Sequence, residues 1–373
     1  MDARKIMGPG PLSPPVAPPA NGRTRMLHEN MIDAIGHTPL LRLDLPGPRA
    51  TAYAKLELQN MFAMKDRVAR QIILSARESG ELRPGAPIIE SSSGTMALGV
   101  ALVGTALGHP VYIVTDPRID PMTLAKLRSL GCVVEVVPKM SAHGWQSARL
   151  ERLEQLRAEL DGAFWPRQYS NPQNPAAYRT LAEELLADLG HVDVLVGAVG
   201  SGGSLCGSAR ALREYLPDLW VVGVDCVGSV LFGQPDEPKR LQSGLGNSMH
   251  PPNLDHAQID EVHWLNDREA FTAARALARE QQVFGGNTAG SVYRVLRHVV
   301  AGLPEGARAV GIFPDRGDRY ADTVYDDGHW DTHRLHELPD RTEPVRVPYG
   351  VRVRSWSCSY LTESRKDLAW RVA

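Results

Sequence analysis

The chain of 373 residues carries 41 Lys and Arg against 43 Asp and Glu, a formal net charge of -2, with 43% hydrophobic and 23% charged residues. That length exceeds one average domain and suggests two, and the balanced charge gives no basic surface for nucleic acid or an anionic membrane. The four cysteines form no CxxC pair and no ligand spacing with histidine, so they read as a reduced cytoplasmic set with no metal site.

Residues 1–25 are Pro-rich, lack the apolar core of a signal peptide, and are expected to be a disordered tail. A short helix is predicted over 28–35, and Gly36-His37-Thr38-Pro39-Leu40-Leu41-Arg42-Leu43 turns into a strand. A strand over 53–58 runs into Gln59-Asn60-Met61-Phe62-Ala63-Met64-Lys65-Asp66-Arg67, and 66–78 carries helical periodicity. Strands at 86–90, 111–115 and 133–137 alternate with helices at 96–107 and 121–130. A second alternating run has strands at 194–198, 221–225 and 309–313, with helices at 205–215, 267–282 and 291–301. Short loops between alternating strands and helices predict parallel sheets covered by helices, in two lobes with a cleft between them. Ligands bind such sheets at the carboxyl ends of the strands. The loops at 91–95, 200–204 and 314–319 all follow strands there. Beyond about residue 340 the chain shows no clear period.

Three constellations carry chemistry. Lys65, at a helix start among Phe62, Ala63 and Met64, sits where poor solvation lowers its pKa and frees the amine for a Schiff base; the plainer reading is a stem lying on apolar surface. The loop Gly200-Ser201-Gly202-Gly203-Ser204 ahead of a helix turns backbone N–H groups inward and forms either an anion cradle or a tight structural turn. Leu205 breaks the dinucleotide spacing and no P-loop lysine follows, so a single terminal phosphate suits the cradle better than a nucleotide. Ser91-Ser92-Ser93-Gly94-Thr95 offers hydroxyls and helix-start N–H groups for a carboxylate, or caps the helix alone. No GxSxG elbow supports a serine hydrolase. His143 and Arg167 are further polar candidates near the cleft. Arg167 could pair with an anionic leaving group or a second carboxylate, and each could equally be a surface residue.

Together, the lysine at a helix start, the Ser-rich loop after the next strand and the GSGGS cradle in the later lobe resemble the cysteine synthase / cystathionine β-synthase family of fold-type II pyridoxal-phosphate enzymes, from about residue 35 to 327. The strings Thr115-Asp116-Pro117-Arg118-Ile119-Asp120-Pro121, Asp225-Cys226-Val227-Gly228-Ser229-Val230-Leu231-Phe232-Gly233 and Pro314-Asp315-Arg316-Gly317-Asp318-Arg319-Tyr320 are similar to the N-(2-amino-2-carboxyethyl)-L-glutamate synthase branch, which serves siderophore assembly.

The resemblance implies an α/β, two-lobed, tryptophan synthase β-like fold. Residues 26–58 and 172–335 would form the large cofactor-phosphate lobe, 59–171 a smaller mobile lobe for the substrate carboxylate, and 336–373 an extension of unassigned role. It implies pyridoxal 5'-phosphate held by Lys65, with Gly200, Ser201, Gly202, Gly203 and Ser204 on its phosphate. Ser92, Ser93, Gly94 and Thr95 would grip the substrate carboxylate with help from Gln168, and Gly244 and Gly286 would line the cleft. The expected reaction is β-replacement on O-phospho- or O-acetyl-L-serine through an aminoacrylate, with L-glutamate or sulfide as nucleophile, in a cytoplasmic homodimer. A β-eliminating lyase and a non-catalytic binding protein of the same fold are the rival readings.

Three departures stand out. Thr95 replaces the usual Asn at the cofactor's phenolic oxygen, and the lysine loop is one residue short. Arg316 occupies the usual Ser or Thr position against the pyridine nitrogen, as in the diaminopropionate branch. Arg donates and cannot accept, so an Arg316 aimed at the ring would leave that nitrogen unprotonated.

Overall fold

The computed structural model describes residues 27–47, 49–141, 145–237 and 239–361. The expected tail at 1–25 and His143 lie outside them. At the start of the described chain, 28–35 forms turns rather than a helix. Asn30 Oδ1 accepts the N–H groups of Ile32 and Asp33 at 2.8 and 3.1 Å. Gly36, at φ 98°, then turns the chain away before a second helical turn can form.

β1 (Leu40–Arg42) pairs antiparallel with β2 (Thr51–Lys55). The predicted strand at 53–58 stops at Lys55 and gives way to a 3-10 turn at Glu57–Gln59. There follow α1 (Lys65–Glu78), β3 (Ile88–Ser91), α2 (Thr95–Ala106), β4 (Val111–Thr115), α3 (Pro121–Ser129) and β5 (Val133–Val136). These agree with the predicted elements within about two residues. Next come α4 (Trp145–Glu159), α5 (Gln173–Ala176) and α6 (Arg179–Leu189), which the sequence reading did not place. β6 (Val194–Ala198), α7 (Gly203–Arg213), β7 (Trp220–Cys226), β8 (Glu261–Leu265), α8 (Asp267–Gln281), α9 (Asn287–Ala301) and β9 (Arg308–Ile312) complete the second α/β run. α10 (Asp327–Thr332), β10 (Val345–Arg346) and β11 (Ser357–Tyr360) end it.

Two sheets result. The larger has the order β1-β2-β9-β6-β7-β8-β11-β10, and its central strands β2, β9, β6, β7 and β8 run parallel. The smaller, β3-β4-β5, is entirely parallel. A fold of mostly parallel sheets flanked by helices is therefore what the chain adopts. Its central strands are buried on both faces, as β7 shows with all seven residues buried.

The described part of the segment beyond 340, which ends at 361, is packed into the large sheet. β11 pairs antiparallel with β8, and Trp356 Nε1–H donates to His263 Nδ1 at 3.1 Å. That bond leaves the ring proton of a neutral His263 on Nε2, which faces Glu261 Oε1 at 3.4 Å. A four-residue strand and one tryptophan are too short to leave a periodic trace in sequence.

The start of α1 is fixed by a buried ionic network. Arg67 donates from Nε to Glu57 Oε2 at 2.7 Å and from Nη1 to Glu184 Oε1 at 2.8 Å, while Lys55 Nζ lies 2.7 Å from Glu184 Oε2. Planar guanidinium forks suit such paired carboxylates. Because Arg67 stands two residues after Lys65, the network sets where the lysine emerges. On the other side α2 packs against α1. A Cβ on Gly99 would lie 2.9 Å from the Lys65 carbonyl oxygen, so only glycine lets the helices approach this closely.

Candidate active site

Lys65 opens α1, where the helix dipole disfavours an ammonium. Desolvation by burial lowers its pKa to about 8, and the charge of Glu90 partly opposes the shift. Its Nζ donates to Ser201 Oγ at 3.1 Å, across 136 residues of sequence. The sequence places these groups in different runs; the fold brings the amine onto the glycine turn.

That turn is built for close approach. Gly202 has φ 81°, the left-handed region, and a Cβ there would sit 2.5 Å from Leu254 Cα. A Cβ on Gly203 would meet Asn174 Oδ1 at 2.1 Å, and one on Gly200 would meet the Gly244 carbonyl oxygen at 3.1 Å. Asn174 Nδ2 donates to Ser201 Oγ at 3.2 Å and to the Gln168 carbonyl at 2.6 Å, fixing the hydroxyl that faces Lys65. Ser204 is buried in the first turn of α7. The N–H groups at the start of this 11-residue helix supply the positive end of a dipole.

The Ser-rich loop leads from β3 into α2. Gly94 is its N-cap residue, Ser92 Oγ accepts the Gly94 N–H at 3.2 Å, and Thr95 begins the helix. Thr115 Oγ1 donates to Ser93 Oγ at 3.1 Å, and Arg149 Nη1 donates to the same oxygen. Arg149 is itself held 3.3 Å from Asp116 Oδ2. Glu90, fully buried just before the loop, has its pKa raised to about 7 by desolvation, against the opposing charges of Arg149 and Lys65.

The remaining expectations divide. Gln168 is buried beside the turn. Arg167 lies on the surface, 3.6 Å from Glu81 and half exposed. Arg316 donates from Nη2 to the Met61 carbonyl, at the edge of the lysine loop. From the same segment the cation that turns toward the Ser-rich loop is the largely buried Arg319. Its Nη1 lies 3.2 Å from where a Gly94 Cβ would be, and its Nη2 lies 3.5 Å from Ser243 Oγ. Asp315 Oδ1, buried and without a hydrogen-bond partner, sits 2.5 Å from where a Gly286 Cβ would be. Sequence reasoning does not reach Glu90, Arg149, Asn174, Asp315 or Arg319 as site residues. Asp315 and Arg319 fall inside a string already singled out, whereas Arg149 stands mid-helix with no local signal.

An aldehyde-bearing phosphate ester fits this donor set: a poised amine, a hydroxyl it already touches, and a glycine cradle on a helix start. The family described as "Pyridoxal-phosphate dependent enzyme" matches residues 31–315. The chain belongs to this family. N-(2-amino-2-carboxyethyl)-L-glutamate synthase of Cupriavidus metallidurans is 42% identical over 311 residues, covering 81% of this chain and 91% of that protein. The Ralstonia nicotianae protein of the same name is 39% identical over 308 residues, again covering 81% and 91%. Among solved structures, the O-acetylserine dependent cystathionine β-synthase of Helicobacter pylori superposes with a TM-score of 0.75 at 31% identity, covering 81% of this chain and 100% of that one. O-Ureido-L-serine synthase gives a TM-score of 0.74 at 29% identity, covering 82% and 100%. The fold is that of a fold-type II pyridoxal-phosphate enzyme, and the cofactor is pyridoxal phosphate.

Proposed function

We propose that the chain catalyses β-replacement on an activated L-serine, O-phospho-L-serine or O-acetyl-L-serine, with the amine of L-glutamate as the incoming group. The observation that carries this is the 3.1 Å approach of Lys65 Nζ to Ser201 Oγ, which sets a poised amine against a phosphate cradle. Two relatives near 40% identity are named for a product that carries a 2-amino-2-carboxyethyl group on the nitrogen of L-glutamate.

Bound there, pyridoxal phosphate supplies an aldehyde for the amine and a ring that withdraws electrons from the substrate's α-carbon. Lys65 is the catalytic residue: with a pKa near 8 its neutral form can take the α-proton. Gly200, Ser201, Gly202, Gly203 and Ser204 hold the phosphate ester. Ser92, Ser93, Gly94 and Thr95 bind the substrate carboxylate at the start of α2, with help from Gln168 and with Arg149 orienting Ser93. Arg316, resting on the Met61 carbonyl, would have to swing inward to reach the ring. An Arg316→Ser enzyme with unchanged spectrum and kinetics would remove it from the site. In the overall exchange a C–O bond at Cβ breaks, a C–N bond forms, and phosphate or acetate leaves with a proton from the amine.

In this reading residues 59–171, which contain the three-stranded sheet, form the smaller, mobile lobe, and 26–58 with 172–335 form the larger. A cytoplasmic homodimer belongs to the same reading; the four buried, unpaired cysteines support a reducing compartment. No helix among the described residues is long and apolar enough to cross a membrane.

The deciding experiment purifies the protein, records its visible absorbance, and incubates it with O-phospho-L-serine or O-acetyl-L-serine, with and without L-glutamate or sulfide. Mass spectrometry should find the glutamate adduct. Pyruvate as the sole product would make it a lyase, and a sulfide adduct alone would make it a cysteine-forming enzyme. A visible band that survives Lys65→Ala would remove Lys65 from its role.

A further inference from the structure

At the junction of the two sheets, two buried polar atoms face each other without bonding. Arg319 Nε and Asp120 Oδ2 each lack a hydrogen-bond partner, and they lie 3.7 Å apart. A charge-assisted hydrogen bond between such groups closes at about 2.7–2.9 Å, so an approach of roughly 1 Å would satisfy both atoms at once. Leaving them unmade costs free energy, because each has lost its water.

The pair joins the layers of the two sheets. Arg319 stands in the 3-10 turn Gly317–Tyr320, after β9 of the large sheet, while Asp120 is the N-cap of α3 beside the small one. Among the described residues no other ion pair joins the layer of β3, β4, β5, α2, α3 and α4 to the large sheet's lobe. Asp120 keeps its other oxygen on the Thr123 N–H at 2.9 Å, so capping and pairing use different atoms.

The carboxylate loop is tied to the same pair from both sides. The Arg319 guanidinium lies over Gly94, where any side chain would meet it. Ser93 is bonded to Arg149, Arg149 is paired with Asp116, and Asp116 begins the short loop that ends at Asp120. An anion settling on Ser92–Thr95 therefore acts on both halves of the unmade bond.

We propose that Arg319 and Asp120 form a latch: a substrate carboxylate on the Ser-rich loop draws the smaller lobe in, and the closing bond holds it while the β-carbon is open to attack. Arg319 is then a positioning residue that decides how much of the activated substrate is lost to water. The inference rests on the β-replacement reading and adds to it two residues and a product ratio.

The test uses the cofactor-loaded full chain with Asp120→Asn, which keeps the cap and removes the charge, and Arg319→Lys, which keeps the charge and shortens the reach. Glycine serves as an unreactive carboxylate probe. In the unaltered enzyme it should slow amide hydrogen exchange across residues 116–136. In Asp120→Asn that added protection should fall about tenfold, the effect of one lost hydrogen bond to a charged group. With O-phospho-L-serine and L-glutamate, the ratio of pyruvate to adduct should rise on the same order in both variants while the visible band stays unchanged. Protection and product ratio unchanged in Asp120→Asn would overturn the latch. Were Arg319→Lys to fail to fold, Asp120→Asn alone would decide. An unaltered enzyme without a visible band would instead bring down the cofactor reading beneath it.

Discussion

A lysine becomes a reactive amine through what surrounds it, and Glu90 shows how. Glu90 raises the pKa of Lys65 while burial lowers it to about 8. Glu90→Gln should therefore move the pH midpoint for capture of pyridoxal phosphate by the cofactor-free protein to lower pH. A midpoint that stayed put or rose would show that the two groups do not communicate. Burial also raises Glu90, Asp66 and Asp225 to about 7 from ordinary values near 4. Between pH 4 and 7 the folded chain holds protons that the unfolded chain has released. Its stability should then fall as pH rises through that window, as urea titrations of the cofactor-free protein would show. Arg67 behaves differently, being satisfied on every side. Arg67→Met would leave the buried Glu57 without its cation, held by Thr38 and Asn60 alone, at a cost of about 3–5 kcal/mol. Denaturation measurements should show that loss together with weaker cofactor retention, because the start of α1 is freed.

At the scale of single elements, the glycine turn and α2 are the parts with least room. Gly202→Ala combines a left-handed backbone with a contact on Leu254, and strain of this kind costs about 1–3 kcal/mol. The expected outcome is a folded protein whose affinity for pyridoxal phosphate falls at least tenfold by absorbance titration, while Gly80→Ala, at a φ of 79° with nothing within 4 Å, leaves affinity unchanged. Both turn and helix were legible in the sequence, because repeated glycines after a strand and an apolar run ahead of a turn are local signals. Helices α4 and α6 were not. Their faces take their meaning from partners such as Glu135 for Arg152 and Lys55 for Glu184, which lie far away in sequence.

For the whole molecule, the last described strand extends the large sheet beyond β8 and carries β10 at its edge. Trp356 is 1% exposed and donates to His263, so Trp356→Ala should cost about 3–5 kcal/mol. It should lower the thermal midpoint without changing the product spectrum, since β8 and β11 lie at the other end of the large sheet from β2, which leads to Lys65. A changed product ratio would instead tie this edge of the sheet to the cleft.

Most strands and helices of the two α/β runs, the amine at the head of α1 and the two loops that flank it could be read from residues alone. They depend on periodicity, glycine and the chemistry of neighbours within a few positions. What only the folded chain decided is which of those pieces meet. Lys65 faces Ser201, Arg149 orients Ser93, Arg319 rather than Arg316 lies over Gly94, and 357–360 joins β8. Each is a contact between groups brought together by burial of apolar surface elsewhere, and no local pattern records it.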